Sequence, residues 1–179
     1  MAKGSNGVRK IVKNNSGTWQ YNNNAGTSVS VGFGLSSPSY DSKSYTVPHS
    51  NPRGMYLKSD GTELYIGAYT GHVYQYTLST PNDISTASST GNYNIGEVYD
   101  TVALTFKPDG TKMYATGGSV VYQYTLSTAW DITTASYDSV SYDPSDMGSS
   151  DIHSLNFNSD GTKLFLSLIH ISEPTRRIL

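Results

Sequence analysis

Three carboxylates crowd one short stretch of the chain, Asp143, Asp146 and Asp151 in YDPSDMGSSDIH. Hard cations such as calcium take several oxygen ligands from a flexible loop, which makes this the stretch to weigh for a cation site. It lacks the regular alternation of ligands and the bidentate Glu of a calcium loop, so no metal is expected there. Histidine brings acid–base chemistry only beside a partner group. His49, His72 and His153 each stand at no fixed spacing from an acid, as loop or surface histidines do. No H-E-x-x-H, G-x-S-x-G or P-loop pattern occurs, and GFGLSS from Gly32 does not complete G-x-G-x-x-G. With no cysteine in the chain, disulfides and thiolate metal sites are excluded. The expectation is a non-enzymatic protein with no cofactor.

Two residue sets recur instead. Asp-Gly-Thr begins at Asp60, Asp109 and Asp160, at spacings of 49 and 51 residues. An Asp that bonds the backbone ahead of it, followed by Gly61, Gly110 or Gly161 in the positive-φ position, forms a tight turn, so these are structural turn residues rather than ligands. Tyrosines recur as well: Tyr74 and Tyr76 in one copy of VYQYTLST, Tyr122 and Tyr124 in the next. Rings with a polar tip suit stacking on sugar faces or packing between repeats. Packing is the favoured role, because it recurs in every repeat and a single binding site need not.

The elements that carry these residues follow from the period. VYQYTLST starts at Val73 and again at Val121, 48 residues later, followed by PNDISTAS and AWDITTAS. Complete units span about 54–102 and 103–153; SYDSKSY from Ser39 echoes SYDSVSY from Ser136, and a further unit opens before Asp160. GMYLKSDGTELYI, ALTFKPDGTKMYA and SLNFNSDGTKLFL each place two apolar runs around a turn, which is a hairpin. HVYQYTL alternates Val73, Gln75 and Thr77 with Tyr74, Tyr76 and Leu78, as a half-buried strand does. ASYDSVSY is a weaker fourth strand on the solvated side. Four short strands in about 50 residues, repeated in tandem, predict an all-β protein, an incomplete β-propeller of two full four-stranded blades plus partial blades.

Bulk properties agree with this and narrow the partners. Among 179 residues 36% are apolar and 15% charged, with a formal net charge of −2, so no global field draws the chain to nucleic acid or an anionic membrane. No apolar run approaches a membrane span, and the N-terminus lacks the apolar core of a secretion signal. Lys3, Arg9, Lys10 and Lys13 precede any acidic residue, which permits docking on an acidic protein surface or on nucleic acid, although a solvated, partly disordered terminus is the favoured reading.

The repeat phrases resemble those of YVTN-type β-propellers, over about Gly34 to Phe165, in a form similar to phage and bacterial surface proteins. GVRKIVKNNSGTWQYNNNAG, centred on Trp19 and Tyr21, resembles the N-terminal segment of some tailed-phage virion proteins. Leu166 to Arg176, LSLIHISEPTR, resembles the translation of a sequencing adapter, so the natural coding sequence is expected to break off near Phe165. The expected organisation is an N-terminal, virion-docking arm at 1–30, a propeller fragment at 31–165 and an artefactual tail at 166–179. Two blades and a fraction cannot close a ring, and exposed sheet edges are expected to leave the fragment prone to aggregation.

What the resemblance implies is a tail-associated structural or host-surface-binding protein of the virion, made in the host cytoplasm, with other virion proteins or a host-surface glycan or protein as partners. The alternatives are a polysaccharide lyase or hydrolase whose active site lies in missing blades, and a binding propeller on a bacterial cell surface.

Overall fold

The computed structural model describes residues 10–13, 19–22, 28–30, 42–49, 51–97, 100–101, 103–145 and 151–169. The chain divides into two units, 1–42 and 43–179. Described strands of the first are β1 (Lys10–Lys13), β2 (Trp19–Asn22) and β3 (Ser28–Ser30), in one antiparallel sheet of order β1-β2-β3. Trp19 lies opposite Lys13, and Tyr21 lies opposite Ile11 on one side and Val29 on the other.

The second unit is all-β and antiparallel. One four-stranded meander comprises β4 (Pro52–Leu57), β5 (Glu63–Ala68), β6 (His72–Leu78) and β7 (Ala87–Asn94). The next comprises β8 (Ala103–Phe106), β9 (Lys112–Gly117), β10 (Val120–Leu126) and β11 (Ala135–Tyr142). A two-stranded sheet follows, β12 (Asp151–Phe157) with β13 (Leu164–Ile169). Strand β13 runs past Phe165, where the adapter-like stretch begins, and Leu166 lies opposite Leu155 in the β12 ladder.

Each meander repeats its local devices. Asp60, Asp109 and Asp160 accept from the backbone N–H of the Thr two residues on, at 3.0, 3.0 and 2.9 Å. Between them Gly61, Gly110 and Gly161 hold φ of 74°, 74° and 71°, a region a β-carbon disfavours. Lys58 pulls the Asp60 carboxyl down to about 2, helped by the Thr62 hydroxyl and N–H. Lys107 and Thr111 likewise hold Asp109 well below the carboxylate range. Single-turn 3₁₀ helices η1 (Ile84–Thr86) and η2 (Ile132–Thr134) are capped by Asp83 and Asp131, which accept from Ser85 N and Thr133 N. A bulge on the outer strand breaks the register at Gln75/Tyr76 and at Gln123/Tyr124.

Stacking buries both faces of the first meander. On one side Leu64, Ile66, Tyr76 and Leu78 form a cluster that Tyr45, Val47 and Tyr74 border. On the other, Tyr65 and Val73 join Leu104, Phe106, Met113, Ala115, Tyr124 and Leu126 of the second meander. Alternation along β6 therefore separates two buried faces, where sequence periodicity suggested one buried and one wet. The second meander's far face, with Ala103 and Val121, packs in turn on Ile152 and Leu155.

Candidate functional site

The joint between the meanders is where chain-distant polar groups converge. Tyr65 and Gln75 come from adjacent strands, and η2 and the turn leading into it present backbone groups to them. The Tyr65 hydroxyl donates to Trp130 O at 2.7 Å, and Ile132 N donates to Gln75 Oε1 at 3.1 Å. Gln75 is oriented by its own Nε2, which donates to Glu63 Oε2 at 3.1 Å, and Thr77 Oγ1 donates to Glu63 Oε1 at the same distance. A side-chain acceptor is needed because the η2 amide is buried and no strand is there to receive it.

Aromatic rings surround this clamp. Tyr65 lies 4.4 Å from Phe106 and 6.5 Å from Trp130 between ring centroids, and Tyr56 lies 5.0 Å from Phe106. Lys58 Nζ sits 5.2 Å from the Trp130 ring centre. Trp130 holds φ +69°, its N–H donating to Gly110 O at 3.0 Å. Beside the clamp a polar groove of about 390 Å³ is lined by Lys58, Glu63, Thr77, Thr90, Trp130 and Asp131, among others. In chemical terms the groove offers a carboxylate, an ammonium and hydroxyls at the edge of an indole.

Burial sets the tyrosine ionisation. Tyr65 is raised far above its ordinary value, by burial first and then by the Glu63 carboxylate. Tyr124 is raised likewise, by burial and by its bond to Glu97 Oε2 at 3.0 Å. Burial pushes Tyr76 up to about 12. A raised value means the phenolate forms in the unfolded chain before the folded one. The stabilisation is therefore whole below about pH 10 and is lost as pH rises through the folded values. An alkaline titration followed by tyrosinate absorbance is expected to show a fraction that ionises only together with unfolding, well above the ordinary tyrosine value. A single smooth titration with the fold intact would contradict the burial of these rings.

The recurring tyrosines separate into two pairs. Tyr76 and Tyr124 are fully buried. Tyr74 and Tyr122 are half-buried; Tyr74 stacks on His49 with centroids 3.4 Å apart and lies 5.8 Å from His72, while Tyr122 meets Tyr137 edge-on at 5.9 Å. The Asp residues weighed for calcium do not form a described site: Asp143 accepts from Ser145 N, Asp151 begins β12, and Asp146 lies outside the described residues. Among the described residues no three His, Cys, Asp or Glu side chains are grouped as metal ligands, and no helix is long and apolar enough to cross a membrane. Sequence reasoning passed over Gln75, Trp130 and Ile132 as a clamp. The available signal was a glutamine and an isoleucine at the same place in both copies.

Removing the clamp's acceptor isolates its worth. Gln75→Ala leaves Ile132 N without an acceptor in the joint and is expected to destabilise the protein by about 1–3 kcal/mol. Gln123→Ala is the matched control, since Gln123 meets Asp138 through Nε2 and caps no described turn; urea unfolding of both variants gives the comparison.

No family model matches the chain, and no curated protein matches it. Among solved structures it is similar to a functionally unknown protein from Desulfotomaculum acetoxidans DSM 771, at 12% identity and a TM-score of 0.49, over 84% of this chain. The chain spans 44% of the length of that protein.

Proposed function

We propose that the second unit is an incomplete β-propeller, with the two meanders as full blades and β12–β13 opening a third, and that it serves as a non-enzymatic binding or structural module. The observation that carries the propeller is the repeated mode of stacking: the Leu104/Met113/Tyr124 side of one meander meets the Tyr65/Val73 side of the meander before it. The Ala103/Val121 side of the second meander then meets Ile152 and Leu155 of the next sheet. A series of antiparallel sheets joined face to face in chain order is the arrangement of blades. The buried aromatics serve the joints, which leaves the grooves and loops between blades as the surface for partners.

The virion assignment rests on the resemblance of the repeats and of the segment around Trp19 and Tyr21. The partners proposed are other virion proteins or a host-surface glycan or protein, with the groove of Lys58, Glu63 and Trp130 as the place a saccharide would meet an aromatic edge and hydrogen-bonding groups. Mass spectrometry of purified virions tests this. A stoichiometric band is expected, whereas depolymerisation of a purified glycan by the protein would support a polysaccharide-acting enzyme instead.

A further inference from the structure

The two meanders carry the same polar site in two charge states. In the second, Lys112 Nζ donates to Asp138 Oδ2 at 2.7 Å and to Thr125 Oγ1 at 2.6 Å, and Gln123 Nε2 donates to the same Asp138 oxygen at 2.7 Å. Ammonium and carboxylate neutralise each other inside the meander. One repeat earlier the positions of Lys112, Asp138, Thr125 and Gln123 are held by Glu63, Thr90, Thr77 and Gln75. Glutamine and threonine are kept, the ammonium has become a carboxylate, and the residue at the outer-strand bulge that supplied the counter-charge has become a hydroxyl. Glu63 keeps two neutral donors, Gln75 Nε2 and Thr77 Oγ1, both at 3.1 Å, and meets no cation among the described residues.

A second carboxylate lines the same groove from the other meander. Asp131 caps η2 by accepting from Thr133 N and Oγ1, and among the described residues it too meets no cation. Its counterpart Asp83, in the same capping position, pairs with Lys43 at 2.7 Å. The ammonium of the groove does not compensate either acid, because Lys58 Nζ is bound to Asp60 Oδ2 at 2.8 Å and lies against the Trp130 ring. Both acids belong to the lining of one groove of about 390 Å³, together with the hydroxyls of Thr90 and Thr133 and the indole of Trp130. A concave wall focuses the field of such charges on whatever enters.

We propose that this groove selects a cationic sugar, a hexosamine unit with a free, protonated amine. Its ammonium donates to Glu63, as the Lys112 ammonium donates to Asp138 in the second meander, and Asp131 adds attraction from the facing wall. The ring hydroxyls meet the hydroxyls of Thr90 and Thr133, and the apolar face of the ring lies at the indole edge. A lysine side chain brings the same ammonium on an apolar stem, and the lining offers that stem only Ala129 and Trp130 among polar neighbours. The inference rests on the reading of this groove as a saccharide site and adds to it the charge of the saccharide.

Three β-1,4-linked tetramers that differ only at C2 are the probes: the glucosamine tetramer with its free amines, its N-acetylated form, and cellotetraose. Each is titrated into the full chain at mildly acidic pH, where the sugar amine is protonated, and followed by tryptophan fluorescence. The chain has two tryptophans, so a Trp19→Phe background leaves Trp130 as the reporter. The glucosamine tetramer is expected to bind at least about tenfold more tightly than the other two. Added salt is expected to weaken it. Glu63→Gln and Asp131→Asn keep the size of the side chain and, for asparagine, the cap; each is expected to lower the affinity about three- to tenfold with the melting temperature little changed. Glu63→Lys combined with Thr90→Asp copies the second meander's ion pair into the first and is expected to abolish binding in a folded chain. Equal affinity for the three tetramers, unmoved by Glu63→Gln, overturns the cationic selectivity and leaves the saccharide reading standing. Binding of none of them sinks the saccharide reading of the groove as well. Tetralysine binding more tightly than the glucosamine tetramer overturns the sugar in favour of a basic peptide.

Discussion

Replacing Tyr65 by Ala is expected to destabilise the second unit by about 3–5 kcal/mol, the range for deleting a buried aromatic ring. The ring is fully buried, touches Phe106 and Trp130 across the joint, and its hydroxyl holds the Trp130 carbonyl in the turn that leads into η2. Deletion therefore removes apolar burial, leaves a cavity between the meanders and frees the Trp130 carbonyl at once. Tyr65→Phe keeps the ring and loses only the hydroxyl bond, for about 1 kcal/mol. Chemical denaturation of both variants gives the two numbers. Because small domains are stable by only ~5–15 kcal/mol, the Ala variant is expected to lose a large share of its stability and to unfold at markedly lower denaturant. Equal effects of Ala and Phe would mean that the ring does not fill the joint.

The second large effect is at a glycine. Gly110→Ala forces a β-carbon into φ +74° and within 2.4 Å of the Trp130 ring. Left-handed backbone costs about 1–2 kcal/mol for a residue with a β-carbon, and overpacking adds about 1–3 kcal/mol. A loss of roughly 2–5 kcal/mol is the sum of those two ranges. Gly161→Ala carries the first cost alone, because its φ is +71° but no atom lies within 4 Å. Paired melts of the two variants separate conformational strain from collision. A loss at Gly161 as large as at Gly110 would place an unseen atom over Gly161.

Much of the architecture was legible because its signals are local. Asp-Gly-Thr, with a side chain that bonds two residues ahead and a glycine for positive φ, marks the same turn three times. Period-of-two patterning in VYQYTLST places Val73 and Gln75 on one face of β6 and Tyr76 and Leu78 on the other, and the structure buries them in separate environments. The weak hydrophobicity of ASYDSVSY matches an outer strand with its last residues exposed.

Other features depend on stacking, which no local window contains. Gln75 and Ile132 lie 57 residues apart, and Tyr65 and Trp130 lie 65 apart, so their pairing exists only once two meanders face each other. Trp130 at φ +69° and Asn82 at +63° occupy the same left-handed position. Asparagine tolerates that region and tryptophan ordinarily avoids it, so composition marks the first site and hides the second. The ring is held there by Lys58 and the joint. Strand β13 extends beyond Phe165 because Leu166 and Leu168 turn toward the cluster formed with Ile152 and Leu155. An apolar side chain packs there whatever the origin of the codons that specify it.

Amide hydrogen exchange at Ile132 tests the stacking of the meanders most directly. Its N–H donates to the Gln75 side chain of the preceding meander rather than to backbone, and the residue is fully buried. The counterpart Ile84 in η1 is 37% exposed and has no such acceptor among the described residues. Protection of Ile132 comparable to that of the β9 and β10 ladder amides, with rapid exchange at Ile84, is the predicted result. Exchange at Ile132 as fast as at Ile84 would mean that the two meanders are not joined face to face.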